Sequence, residues 1–235
     1  DYLNSFHVRD GIDNHDVEGI DTDSAYMNPQ RISAVVSYIL EHFNQKTKRH
    51  ASFQYKERRV NGFNSLFATS SIKAARAYYQ EFKRQQADLP EARRLSVGII
   101  YSYAPNAEAP GTGLLSEESM DPSALSQDDR AFLDEAIADY NQQFGASFGT
   151  DASGFEGYYT SLSTALAERR IDLVIVVDMF LTGFDSKSLN TLWVDKNLRA
   201  HGLIQAFSRT NRILNSVKTF GNIVCFRNLE ETTND

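Results

Sequence analysis

The sequence predicts an α/β domain built on a parallel sheet with helices on its faces. Short apolar runs suited to strands recur at 63–71, 95–101, 171–177, 189–195 and 220–226, and amphipathic helical patterns separate several of them. Strand, helix and strand in succession is the mark of a parallel crossover unit, which lies in a sheet covered by helices. The run at 171–177 is nearly all β-branched or leucine, as a strand buried on both faces must be.

Taken in order, residues 1–27 are polar, acid-dotted and aperiodic, and read as a linker from a preceding domain. Asn28 suits a helix cap and Pro29 the first helical position, and Ile32, Val35, Val36, Ile39, Leu40 and Phe43 follow at helical spacing. The basic stretch 46–59 breaks this period and reads most simply as a solvated loop, with nucleic-acid contact as the lesser alternative. After the strand at 63–71, Ile72, Ala75, Tyr79 and Phe82 mark one side of a helix, and 95–101 supplies the next strand. Residues 104–151 form an acidic insertion at the sheet edge. It holds a helix capped by Ser126, with Asp129 three residues on and a stripe of Leu133, Ile137, Tyr140 and Phe144. Ser153 with Glu156 looks like a second capping box, opening a helix that carries Phe155, Tyr159, Leu162 and Leu166. The strand at 171–177 then runs into the loop 178–188, followed by strand 189–195, helix 201–212 and strand 220–226. Residues 28–235 thus read as one domain.

Charge is uneven. The chain carries −7, but 104–151 contains ten acids and one base, a net of −9, so the remainder stands at +2. That permits DNA contact through backbone amides and a few side chains without advertising it. One cysteine, Cys225, excludes an internal disulfide and a thiolate metal cluster, and the chain shows no apolar run long enough to span a bilayer and no signal pattern at its start. A cytoplasmic protein is expected, without membrane contact. The five histidines lack metal-ligand spacing and no G-x-S-x-G elbow occurs, so no metal site of the chain's own is assigned. No G-x-x-x-x-G-K-[ST] loop is present to cradle a nucleotide's phosphates. Asp134-Glu135 falls within a helical stripe, the wrong place for a magnesium-binding strand end, and Asp195-Lys196 reads as a strand-end acid with its neighbour.

The chemistry concentrates in 201–212. At about 100° per residue, Gln205, Arg209 and Arg212 lie within roughly 60° of one another, while Leu203 and Phe207 face away. Two guanidiniums on one face suit the spread negative charge of a phosphoryl group in transfer, although a solvated helix face would read the same way. Upstream, Thr69 and Ser70 place short hydroxyls at a strand end, where they either contact a nucleic-acid backbone or cap the next helix. Loops that follow parallel strands gather at strand C-terminal ends. Segments 178–188 and 205–212 are therefore expected side by side at one edge of the sheet.

The run Gln-Ala-Phe-Ser-Arg-Thr-Asn-Arg at 205–212 resembles motif VI of superfamily 2 helicases. Asp-Met-Phe-Leu-Thr-Gly-Phe-Asp at 178–185 resembles motif V and Phe-Ala-Thr-Ser at 67–70 resembles motif IV, all in the family's order. The wording of these segments, with Leu-Asn-Thr-Leu-Trp-Val-Asp-Lys-Asn-Leu at 189–198, is most similar to the restriction subunit of type I restriction-modification enzymes; the likeness runs roughly from Pro29 to Leu229. The resemblance implies the second RecA-like domain of a motor that translocates double-stranded DNA on ATP before cleavage, within an ATP-dependent type I deoxyribonuclease. It implies ATP and magnesium in a site shared with a first RecA-like domain of the same subunit, and modification and specificity subunits as further partners. By the same resemblance Arg209 and Arg212 reach the γ-phosphate, Gln205, Gly183 and Asp185 border the nucleotide, and Thr69, Ser70 and Thr182 serve DNA. One departure stands: many members carry a DNA-touching threonine six residues before the motif V glycine, where this chain has Val177. Two other readings compete, a superfamily 2 helicase or remodeller of another branch and a non-catalytic α/β scaffold for protein partners.

Overall fold

Asn28 opens helix α1 (Pro29–Lys46) by accepting the Gln30 amide at 2.9 Å, and Pro29 fills a position where no amide hydrogen is needed. In the computed structural model, which describes residues 25–101, 125–177, 179–181, 184–197, 208, 210–212, 214 and 217–227, α1 buries Ile32, Val35, Val36, Ile39 and Phe43. The linker assigned to 1–27 lies almost wholly outside these residues.

The basic stretch after α1 is not a loop throughout. It forms an antiparallel hairpin of β1 (Ser52–Tyr55) and β2 (Arg58–Asn61), with Tyr55 opposite Arg58 and Lys56 at φ 52° in the turn. Phe53 is buried and stacks on Phe63, their ring centroids 4.7 Å apart. Arg58 and Arg59, adjacent in β2, are both exposed, while Lys48 and Arg49 precede the hairpin and make contacts with Val217 and Asp172.

The main sheet is parallel. Among the described residues it comprises β3 (Asn64–Thr69), β4 (Val97–Ile100), β5 (Leu173–Val176), β6 (Leu189–Asp195) and β7 (Asn222–Cys225), in the spatial order β4-β5-β3-β6-β7. Every residue of β3, β5 and β6 is buried, which fits central strands covered on both faces. The other described α-helices are α2 (Ile72–Gln86), α3 (Gln127–Phe144) and α4 (Ala152–Ala167). Ser71 caps α2 by accepting the Ala74 amide, and Ser126 caps α3 by accepting that of Asp129. The cap of α4 differs from expectation. Asp151 accepts the Gly154 amide at 3.0 Å while the Ser153 hydroxyl donates to it at 2.8 Å, so Ser153 lies inside the helix. A carboxylate just ahead of the first turn can take both donors and complements the positive helix end.

Helices α3 and α4 follow β4 and precede β5, and both enter the common core through Phe132, Leu133, Ile137 and Tyr140 and through Phe155, Tyr158 and Leu162. Tyr158 ties α4 to the edge strand by donating to the Ile99 carbonyl at 2.7 Å. The first part of the acidic segment, 104–124, lies outside the described residues. Asp134 and Glu135 sit within α3, as their helical stripe indicated. Among the described residues, no helix is long and apolar enough to cross a membrane.

The link from β5 to β6 decides where the site forms. It leaves the C-terminal end of β5 and crosses the sheet with Met179, Phe180 and Leu181 buried; Phe180 packs 5.1 Å from Tyr159 and 5.0 Å from Phe184, centroid to centroid. It finishes beside the N-terminal ends of the strands. There the Asn64 amide donates to the Ser188 carbonyl at 3.1 Å, and the Ser188 hydroxyl donates to the Leu166 carbonyl at 2.9 Å.

Candidate functional site

Asp185 comes to rest at this N-terminal end, in the last residues before β6, and forms an ion pair with Arg212 at 2.5 Å. The two resembling segments are therefore adjacent, as expected, but not at the strand C-terminal ends. A β5–β6 connection that crosses the whole sheet delivers its later residues to the opposite edge. Both side chains are about half exposed, 46% for Asp185 and 54% for Arg212, so a ligand can reach the pair.

The helix predicted over 201–212 does not reach Arg212. Ser208 is helical, but Thr210 lies in a turn and the Asn211 amide closes back on the Ser208 carbonyl at 3.3 Å, so Arg212 projects from the connection that follows. Thr210 is buried against Gly221, where an added Cβ would lie 2.4 Å from the Thr210 side chain. That contact turns the chain towards β7.

Two lysines that sequence reasoning passed over complete the cluster. Lys218 is fully buried, and its ammonium donates to the carbonyls of Leu189 at 2.5 Å and Lys187 at 3.1 Å. Burial pushes it down to about 8; Asp185 opposes the shift, while Arg212 and Lys48 add to it. Lys48, just past α1 at φ 53°, donates to the Val217 carbonyl at 2.7 Å and lies over the Phe220 ring. No periodic signal marks either lysine, and each reads in sequence as an ordinary surface cation. Asp185 and Arg212 are the exposed members of this group; Lys218 and Lys48 have their ammoniums on backbone carbonyls and contribute positive field behind the pair.

The hydroxyls proposed for DNA stand at the other end of the sheet, and they diverge. Thr69 is fully buried and its hydroxyl donates to the Val176 carbonyl at 3.1 Å, because β3 is the central strand and is covered on both faces. Ser70, partly exposed, accepts from Arg227 at 3.0 Å. Arg227 also donates to Asp195 at 3.1 Å, and Arg31 pairs with the same carboxylate through both terminal nitrogens, at 2.6 and 3.0 Å. The Tyr78 hydroxyl adds a bond at 2.6 Å. Burial alone would raise the Asp195 pKa, but Arg31, Tyr78 and Arg227 outweigh it and hold the group below its ordinary value. Asp195 is thus committed to a structural network, in keeping with a strand-end acid. Lys196 donates to the Val177 carbonyl at 3.2 Å. Of the remaining candidates, Gln205, Arg209, Gly183 and Thr182 lie outside the described residues. Among the described residues, no group of three or more His, Cys, Asp and Glu side chains converges as a metal site would.

The family model for type I restriction enzyme subunit R domain 3 matches residues 61–228. A type I restriction enzyme endonuclease subunit of Staphylococcus aureus (strain MRSA252) is 36% identical over 239 residues, covering all of this chain and 23% of its own length. Its counterpart from Staphylococcus saprophyticus is 37% identical with the same coverage. This chain therefore spans about a quarter of the length of these relatives. A solved structure, Mss116p DEAD-box helicase domain 2 bound to an RNA duplex, aligns at TM-score 0.40 and 10% identity over 84% of this chain and 50% of that one.

Proposed function

Because this chain belongs to the domain 3 family of type I restriction enzyme R subunits, we propose that it acts as the second motor domain of such a subunit, completing an ATP site and driving translocation of double-stranded DNA before cleavage. The observation that carries this reading is the Asp185–Arg212 pair, which joins the two segments resembling motifs V and VI at an exposed edge beside two further cations. A guanidinium already facing a carboxylate oxygen at 2.5 Å has the geometry that a phosphoryl oxygen would take over.

Bound magnesium ATP would supply the phosphoryl group whose transfer drives the cycle. Its base, ribose and magnesium contacts would come from the preceding RecA-like domain, since this sequence has no phosphate loop. Arg209 and Arg212 stabilise charge on the transferring oxygens, and Gln205, Gly183 and Asp185 shape the rim they work from. On the DNA side the proposal narrows to Ser70, with Thr182 beside the nucleotide loop, because the Thr69 hydroxyl is already spent inside the sheet. Cleavage, and assembly with modification and specificity subunits, would belong to the whole enzyme in the cytoplasm.

The test uses the full-length R subunit in its assembled complex. Arg209→Ala and Arg212→Ala should each retain nearly normal ATP affinity while DNA-stimulated hydrolysis drops about 10³- to 10⁵-fold and triplex displacement stops. Lysine should rescue poorly, as an ammonium lacks the guanidinium's fork. Near-normal hydrolysis in both alanine variants would return this surface to a solvated face without catalytic duty.

A further inference from the structure

We propose that Lys218 is a positioning residue for hydrolysis: its buried ammonium fastens the segment carrying Arg212 to the backbone that carries Asp185. This inference rests on the motor reading above and extends it to a residue that no motif marks.

The geometry makes the case. Lys218 lies six residues beyond Arg212, and its own carbonyl accepts the Leu214 amide at 3.4 Å, so the chain after Arg212 folds back on it. From inside that fold, Nζ grips the Lys187 and Leu189 carbonyls, which flank the last residue before β6 and follow Asp185 by two and four positions. Lys48 secures the same segment from the α1 side through the Val217 carbonyl at 2.7 Å. The two chain segments that must present Asp185 and Arg212 to one anion are therefore fastened behind their own ion pair by the Lys218 side chain. A fully buried lysine is costly unless something holds it. Here two carbonyls do, and Asp185, Arg212 and Lys48 are the charged groups that set its field. A surface solvated on both sides would need no such fastening. Loss of the ammonium leaves Arg212 attached to the chain but free to drift, and a displacement near 1 Å at a reacting group can cost about 10²-fold in rate.

The ammonium also brings a signature that mere packing lacks. With its pKa lowered to about 8, it loses its proton in the native protein as pH rises from 8 towards 9, whereas an ordinary lysine keeps it there. The fastening is complete below that range and weakens above it.

The experiment measures DNA-stimulated ATP hydrolysis by the full-length subunit in its complex, for wild type, Lys218→Met, Lys218→Arg, Arg212→Ala and the Lys218→Met/Arg212→Ala double variant. The expected result is a kcat about 10²-fold lower in Lys218→Met with KM for ATP changed less than threefold, and a double variant no slower than Arg212→Ala alone. Wild type should show an alkaline fall in kcat starting near pH 8 that Lys218→Met lacks and Lys218→Arg moves upward. DNA binding by the complex verifies that each variant is folded. If Lys218→Met depresses kcat and the loss multiplies with that of Arg212→Ala, Lys218 does not work through the arginine and the proposal is overturned. A folded Lys218→Met with normal kcat overturns it as well. Should Arg212→Ala itself hydrolyse normally, the arginine reading fails first and takes this inference with it, a result distinguishable from failure at Lys218 alone.

Discussion

Asp195 shows how one residue can be read correctly in kind and still hide its weight. A strand-end acid was legible in the sequence, but its partners Arg31, Tyr78 and Arg227 come from positions far apart in the chain, and no local spacing could have assembled them. Replacing it as Asp195→Asn keeps the shape but removes the counter-charge of the part-buried Arg31 and Arg227, which retain other partners; unfolding free energy in urea should fall by about 1–3 kcal/mol. An unchanged midpoint would show the network to be ornamental. The pH dependence has a definite sign. A carboxylate whose folded pKa is depressed contributes stability that is present above its unfolded value near 3.8 and disappears as pH falls through the lower folded value, so Asp195→Asn should flatten the acid limb of wild-type stability below about pH 4. Arg212 is the converse case. Its chemistry was legible from the two-arginine run, whereas its place outside the helix depended on a Thr210–Gly221 contact made only in three dimensions.

At the scale of elements, the sequence was most readable where burial imposes a period. Strand 189–195 appears with the expected limits, and α1, α3 and α4 bury the stripes that their apolar spacing marked out, with only flank residues such as Leu40, Phe144 and Tyr159 left partly exposed. Reading failed where charge masked alternation, in the β1–β2 hairpin, and where a connection's route mattered more than its composition, in the 177–188 crossing. Neither is a local property. The turn after 210 provides an element-scale prediction. At Gly221 a Cβ would stand 2.4 Å from Thr210, too close for any side chain, so Gly221→Ala must push the turn off β7. Overpacking of this kind costs roughly 1–3 kcal/mol, read as a lower thermal midpoint, and hydrolysis by the assembled enzyme should decline through misplacement of Arg212. A variant as stable and active as wild type would mean that the close approach is not needed.

For the whole molecule, the missing phosphate loop leads to a simple expectation: the purified 235-residue chain should hydrolyse no ATP above an Arg209→Ala/Arg212→Ala control, and turnover above that background would contradict a half-site. The acidic 104–151 segment carries −9 against the net −7, so total charge says little about the remaining +2 of the chain, where the proposed DNA contacts lie. One further consequence concerns β6. Its carbonyl at Leu189 is gripped by Lys218, and its carboxylate at Asp195 by Arg31, Arg227 and Tyr78, while all seven of its residues are buried between β3 and β7. At about 3.3 Å per residue the strand spans roughly 20 Å. It is held at both tips, and its pairing with β3 shifts register once, between Leu189 and Thr191. Held in this way, β6 is expected to keep the Lys218 contact and the Asp195 network at a fixed separation, so amide hydrogen exchange should be slowest along 191–195, where the ladder runs without a shift.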